Sequence, residues 1–335
     1  MLKTVCYGKL MYLLAFLVSS AYLFSNAGKD AFAAGNVVSI ASILVCIFLL
    51  RTIDLLILII LVALIFLSTV TGAAVPGYWV GFTYKILTFL PVIVLIRGAS
   101  VEIIYRAIFA SFLISTLAAL TLLAFGFDDT RFIIYQDVIP RFAGLAIEPS
   151  SYAIGGLCVF IFYVLRYRSV SFWKILVFYL PMLSAVSGVV LLKIVVDALI
   201  KTKVKYLLVS ASMFIPMFFI LYAKTRAGDS IEVRLMLYRD ILENQTANWF
   251  GTGFYMHEGA KGLPGLFRIY FELGPLLLIV MITFYLLIIV KHRLLQWSFL
   301  LVGITLPFLQ EAYGSPLLWL VSGFCLLRGR STMSR

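Results

Sequence analysis

The sequence predicts an all-α fold, a polytopic transmembrane bundle of about twelve helices, and three observations predict it. Of 335 residues, 63% are hydrophobic and only 13% are charged, against roughly half apolar and a quarter charged in a soluble domain. The mean hydropathy is +1.08. Apolar runs recur along the whole chain between short charged clusters, each run about the length needed to cross a hydrocarbon core as a helix. The runs are continuous rather than alternating, which selects helices over a β-barrel. Residues 1–335 therefore read as one integral membrane domain. The one hydrophilic stretch long enough to carry structure is Lys224–Gly265.

The crossings are expected at 10–25, 36–50, 55–71, 79–96, 107–126, 147–165, 172–186, 188–202, 206–223, 267–290, 296–310 and 315–327. Basic residues orient them. With both ends in the cytoplasm, the inside clusters are Lys3/Lys9, Arg51, Arg97/Arg106, Arg166/Arg168/Lys174, Lys201/Lys203/Lys205, Lys291/Arg293 and Arg328/Arg330/Arg335. Sixteen basic residues then lie inside and nine outside, the bias that the positive-inside rule requires. The net charge of +12 is read as this bias, and no nucleic-acid partner is expected. Cys6, Cys46, Cys158 and Cys325 are far apart and lack a CxxC spacing, which argues against a disulfide framework or a metal site.

The first crossing has a second reading. Lys3, Lys9, an apolar run and Ala31-Phe32-Ala33 look like a signal peptide with a small-residue cleavage site; an uncleaved first helix is favoured. In the fourth crossing Lys85 is about 10 Å below the outer helix end by helical rise. It either snorkels or faces a cavity open to the outside, and the second is preferred. The seventh and eighth spans are short and turn at Ser187-Gly188, where a re-entrant hairpin gives the same signal. Lys193 and Asp197, four apart, can neutralise each other in the eighth.

Arginines on the outside are informative, because that side ordinarily carries fewer of them. The segment from Asp128 to Glu148 contains Arg131 and Arg141 and leads into the sixth crossing. Pro149 suits the first turn of a helix, where its missing N–H costs nothing. Glu148 then stands at the N-cap, where the helix dipole favours a carboxylate. It either caps the helix beside Arg141 or serves as a carboxylate placed beside a sugar hydroxyl or an arginine cluster.

The second segment is the 224–265 loop between the ninth and tenth crossings. Ile231, Leu235, Tyr238 and Leu242 fall on one stripe if 231–243 is helical. Arg234 and Arg239 flank that stripe on opposite sides, and Arg226 precedes it. Such a helix lies at the membrane surface with arginines at phosphate depth. They contact lipid headgroups or capture a lipid-linked pyrophosphate, a task suited to a planar, permanently charged fork. Gly251-x-Gly253 is too short for a nucleotide fingerprint. His257 is either a general base or a solvated loop histidine.

Several of these motifs resemble one family. Arg141-x-x-Gly144-x-x-x-Glu148-Pro149-Ser150-Ser151-x-Ala153 resembles the motif before a central helix in O-antigen polymerases of the Wzy type. So do Arg234-x-x-x-Tyr238 followed by Gly251-x-Gly253, the small-residue turn Ser184–Gly188, and Phe271-Glu272-Leu273-Gly274. The superfamily also includes O-antigen ligases. Ligases carry a periplasmic His-Asn/Ser/Gln pair close to the next helix, whereas His257 here is followed by Glu258 and is farther upstream of Gly274. That tips the resemblance towards polymerase.

The resemblance implies a GT-C-like, metal-independent and cofactor-free glycosyltransferase in the bacterial inner membrane, with its site facing the periplasm. Donor and acceptor are glycans on undecaprenyl pyrophosphate. Glu148 and His257 are the implied catalytic residues, and Arg141, Arg226, Arg234, Arg239 and Lys85 the implied binding residues. Membrane lipids and a chain-length regulator protein are the implied further partners. A lipid-linked sugar flippase is the rival from another class, but no internal repeat of the transporter kind is visible.

Overall fold

In the structure, a computed structural model, residues 2–24, 34–72, 78–127, 133–136, 139–146, 149–167, 236, 239, 249–251, 265–291 and 316–328 are described. They contain eight helices: α1 (Leu2–Leu23), α2 (Ala34–Ile47), α3 (Thr52–Gly72), α4 (Tyr78–Gly98), α5 (Val101–Ala124), α6 (Pro149–Tyr167), α7 (Gly265–Lys291) and α8 (Pro316–Arg328). Each coincides with an expected crossing. The expected crossings at 172–186, 188–202, 206–223 and 296–310 lie outside the described residues, as does Ala31-Phe32-Ala33. Among the described residues, two helical stretches, Cys6–Leu23 and Val101–Ala124, are long and apolar enough to cross a membrane; the other apolar helices described are shorter.

Two starts differ from expectation for local reasons. Helix α1 begins at Leu2 and takes Lys3 and Lys9 into its first turns. Helix α5 begins at Val101, six residues early, because Ser100 caps it by accepting a hydrogen bond from the Ile103 N–H at 3.3 Å. Helix α3 is closed in the complementary way: buried Asp54 accepts from the Arg51 N–H at 2.8 Å.

One feature departs from the all-α expectation. Ile133–Gln136 (β1) and Ile139–Phe142 (β2) form an antiparallel hairpin, with Ile133 opposite Phe142 and Ile134 opposite Arg141. Isoleucine and aromatic residues fill most of the paired positions, and such side chains suit a pleated ladder. With four residues per strand the hairpin is too short to give a period-2 signal.

The chain divides into two units. The first comprises Met1–Val45 and Arg97–Gly228. Its core is α1, α5 and α6. Helices α1 and α5 run parallel: Ser111 meets Ser19 and Ser20 at 2.7 and 2.9 Å, and Ser115 donates to the Leu23 carbonyl at 3.2 Å, while Gly98, just ahead of α5, lies against Tyr7 and Met11. Helix α6 returns antiparallel to α5, so that Glu102 meets Arg166 and Thr116 meets Tyr152. Serines line the inside of this unit, while α5 exposes Phe109, Leu113, Ile114, Leu117 and Leu120. Small polar residues inside and large apolar residues outside are the distribution of helices packed in lipid.

The second unit comprises Cys46–Ile96 and Asp229–Arg335. Helix α3 packs on α7, and α4 packs parallel to α8, with Phe89 edge-on to Trp319 and Ile96 filling the space above Gly323. Helix α7 is broken at Gly274 (φ 85°, ψ 161°), directly before Pro275.

Candidate functional site

Two ends of the first unit differ in chemistry. At one end Glu102 pairs with Arg106 on its own helix and with Arg166 on α6. The Arg166 guanidinium also lies over the rings of Tyr105 and Tyr167, at 5.3 and 4.3 Å from their centroids, an arrangement available to arginine because its flat cation stacks on aromatic faces. Arg106 and Arg166 were both expected inside.

The opposite end, about 20 Å along α5 by helical rise, holds the segment between Arg141 and Pro149. Arg141 is on β2, with its backbone paired to Ile134. Phe142 follows and meets Tyr152 of α6 edge-on, at 5.1 Å and 88°. Phe112 of α5 stacks on the same ring at 4.9 Å. Next, Ala143 and Ala146 are fully buried and close a turn through the Ala146 N–H and the Ala143 carbonyl at 3.1 Å. Within it Gly144 has φ 60°, and a Cβ there would come within 2.8 Å of the Tyr152 ring. Any other residue at Gly144 is both strained and obstructed.

Two hydroxyl networks fasten this turn. The Leu145 N–H donates to Ser115 Oγ at 3.1 Å, and the same hydroxyl donates to the Leu23 carbonyl at 3.2 Å. Thr116 gives its hydrogen to the Phe112 carbonyl at 2.8 Å, so Tyr152 is the donor in the 2.8 Å contact between Tyr152 Oη and Thr116 Oγ1. Helix α6 then starts at Pro149, which is the expected role of that proline.

Glu148 itself lies outside the described residues, as do Arg226, Arg234 and His257. Lys85 lies in the second turn of α4, and Arg239 is helical and exposed. Met236 is helical as well; apart from these two, the residues of the expected helix over 231–243 lie outside the described residues. Lys85 and Arg239 belong to the second unit and Arg141 to the first.

In the second unit the far end of the 224–265 loop is described at Trp249–Gly251. Gly251 has φ 76° and sits against the break in α7: a Cβ on it would overlap the Glu272 carbonyl, and a Cβ on Gly274 would overlap the Trp249 carbonyl. The Leu276 N–H, released from the α7 ladder, donates to the Trp249 carbonyl at 3.4 Å. Glu272, two residues before the break, is fully buried.

Sequence reasoning missed Ser115, Thr116 and Tyr152 as site-forming residues, and named Glu272 only within the Phe271–Gly274 motif. Their one visible signal is a polar group inside an apolar run, which in membrane helices marks an internal contact or a functional position. Compared with known proteins, the chain matches no family model, no curated protein and no solved structure.

Proposed function

We propose that this chain is a polysaccharide polymerase that joins oligosaccharide units carried on undecaprenyl pyrophosphate, at the periplasmic face of a bacterial inner membrane that it crosses about twelve times. The observation that carries the reading is the Arg141–Pro149 segment. An arginine on a hairpin and a carboxylate ahead of a helix-starting proline flank a turn buried against α5 and α6, at the end of the unit away from the Glu102–Arg106–Arg166 cluster. Helix directions also agree with the proposed crossings: α1 and α5 run in parallel, α5 and α6 antiparallel, and α4 and α8 parallel.

In the proposed reaction the acceptor hydroxyl oxygen bonds to the anomeric carbon of the donor. The carbon–oxygen bond to pyrophosphate breaks, and undecaprenyl pyrophosphate leaves with the electron pair. The hydroxyl proton passes to Glu148 or His257. Glu148 is the better placed by motif, although a helix N-terminus favours a charged carboxylate, which makes for a modest base. Arg141, Arg226, Arg234, Arg239 and Lys85 are each candidates for the positive charge that would offset the negative charge growing on the leaving group, and fixed cations are most effective in a poorly hydrated site.

The test uses purified protein in vesicles with a lipid-linked oligosaccharide unit as the only substrate. Chain growth is the expected result. No reaction until a lipid A core acceptor is added identifies a ligase, and movement of the lipid across the bilayer without bond formation identifies a transporter.

A further inference from the structure

Directly after Arg141 the chain folds into a tight turn, closed by the Ala146 N–H on the Ala143 carbonyl at 3.1 Å. Phe142–Ala146 is a short plug, with Ala143 and Ala146 fully buried, seated on hydroxyl groups of neighbouring helices. Ser115 is at the centre of that seat. It is fully buried, its hydrogen goes to the end of α1 at the Leu23 carbonyl, and its oxygen receives the Leu145 N–H. One hydroxyl thus ties three pieces of chain: α1, α5 and the plug. Tyr152 seats the plug from α6, with its ring between Phe112 and Phe142 and its hydroxyl anchored on Thr116. The two anchors are adjacent on α5, at positions 115 and 116.

We propose that Ser115 and Tyr152 are positioning residues, which fix the plug on α5 and so hold in place the chain between the Arg141 end of β2 and the Pro149 start of α6. The role in chemistry rests on the polymerase reading above; the holding of the plug does not. The physical argument is preorganisation. A cation and a carboxylate aimed at a reacting centre act only if their supports are locked before substrate arrives. A turn of five residues has little packing of its own, so its rigidity comes from what it is bonded to. Ser115 and Tyr152 make those bonds from regular helices, the more exact kind of support.

The experiment uses the full-length protein in lipid nanodiscs and two variants, Ser115→Ala and Tyr152→Phe; the second keeps both ring contacts and removes only the hydroxyl. Hydrogen exchange of the peptide covering residues 143–148 is followed by mass spectrometry, and chain growth is measured per inserted molecule. In Ser115→Ala the Leu145 amide loses its acceptor, and exchange of the peptide is expected to rise by roughly tenfold. Turnover at saturating substrate is expected to fall on the order of ten- to a hundredfold while KM changes little, as befits a misplaced catalytic constellation. Tyr152→Phe is expected to move both readings in the same direction, less far. Unchanged exchange in Ser115→Ala overturns the proposal whatever happens to activity. Faster exchange with unchanged turnover overturns the positioning role and leaves a purely structural bond. Should Ser115→Ala fail to insert, Tyr152→Phe decides by the same two readings. A wild-type protein without chain growth overturns the polymerase reading alone; exchange then decides whether the two residues hold the plug.

Discussion

Replacing Arg234 by lysine keeps a positive charge and removes a planar fork. If the loop arginines serve only to hold headgroups, a point charge suffices; if Arg234 grips a pyrophosphate, it does not. Arg234→Lys is therefore expected at normal membrane abundance with chain growth reduced a hundred- to a thousandfold, about 2.7–4 kcal/mol of lost charge stabilisation. Arg239→Lys is expected to be milder, and near-normal growth by Arg234→Lys removes that residue from the site. Glu148→Gln is expected to lower activity more than abundance; equal losses on an immunoblot and in the assay point to helix capping instead. At this scale the sequence was legible where a residue type has one conformational use. Pro149 announced the start of α6, and the structure starts α6 there. Ser115 and Tyr152 were not legible, because a hydroxyl in an apolar run does not reveal a partner thirty or more residues away.

The break in α7 belongs to the next scale. A helix that loses its ladder among apolar neighbours must find other partners for the freed groups. Here the Trp249 carbonyl takes the Leu276 N–H, and Gly251 and Gly274 let the two backbones touch. Gly274 occupies a region of backbone space open essentially to glycine, and the strain for another residue is of order 1–3 kcal/mol. Gly126 also has positive φ, but a Cβ there meets nothing. Gly274→Ala is thus expected to lower the melting temperature in detergent clearly more than Gly126→Ala; equal shifts would mean that the loop end contributes no contact. The Gly274-Pro275 pair was visible in the sequence as a chain breaker, yet the run around it was read as one uninterrupted crossing. Hydropathy averages over a window, and one broken turn does not change the average. The β1–β2 hairpin escaped for a similar reason, being shorter than any window that could show its alternation.

Across the whole molecule the basic residues carried most of the legible information. They gave an alternation of helix directions, and the packed pairs α1–α5, α5–α6 and α4–α8 have the directions that alternation requires. The neighbours themselves were not legible: a lipid-facing leucine and a buried one look alike in sequence, and helix contacts are written in small and hydroxylated residues spread thinly along each span. Orientation is open to a direct check. In a cysteine-free background, single cysteines in 224–265 and in 201–205 are expected to react with an impermeant thiol reagent from opposite sides of the membrane. Reaction of both from one side would overturn the twelve-crossing topology.

The serine seam between α1 and α5 has a consequence for how the protein is made. Ser19 and Ser20 bond to Ser111, 92 and 91 residues further along the chain. At about 5–20 residues per second, α1 waits roughly 5–20 s in the bilayer before its partner has been synthesised. Ser19 can bridge that interval, because its hydroxyl also reaches the Ala15 and Phe16 carbonyls of its own helix at 2.9 and 3.0 Å, so its hydrogen has a partner before Ser111 arrives. Insertion of α1 and its pairing are then separate events in time. In a pulse–chase experiment, Ser111→Leu is expected to leave α1 inserted at the normal rate and to shorten the lifetime of the finished chain.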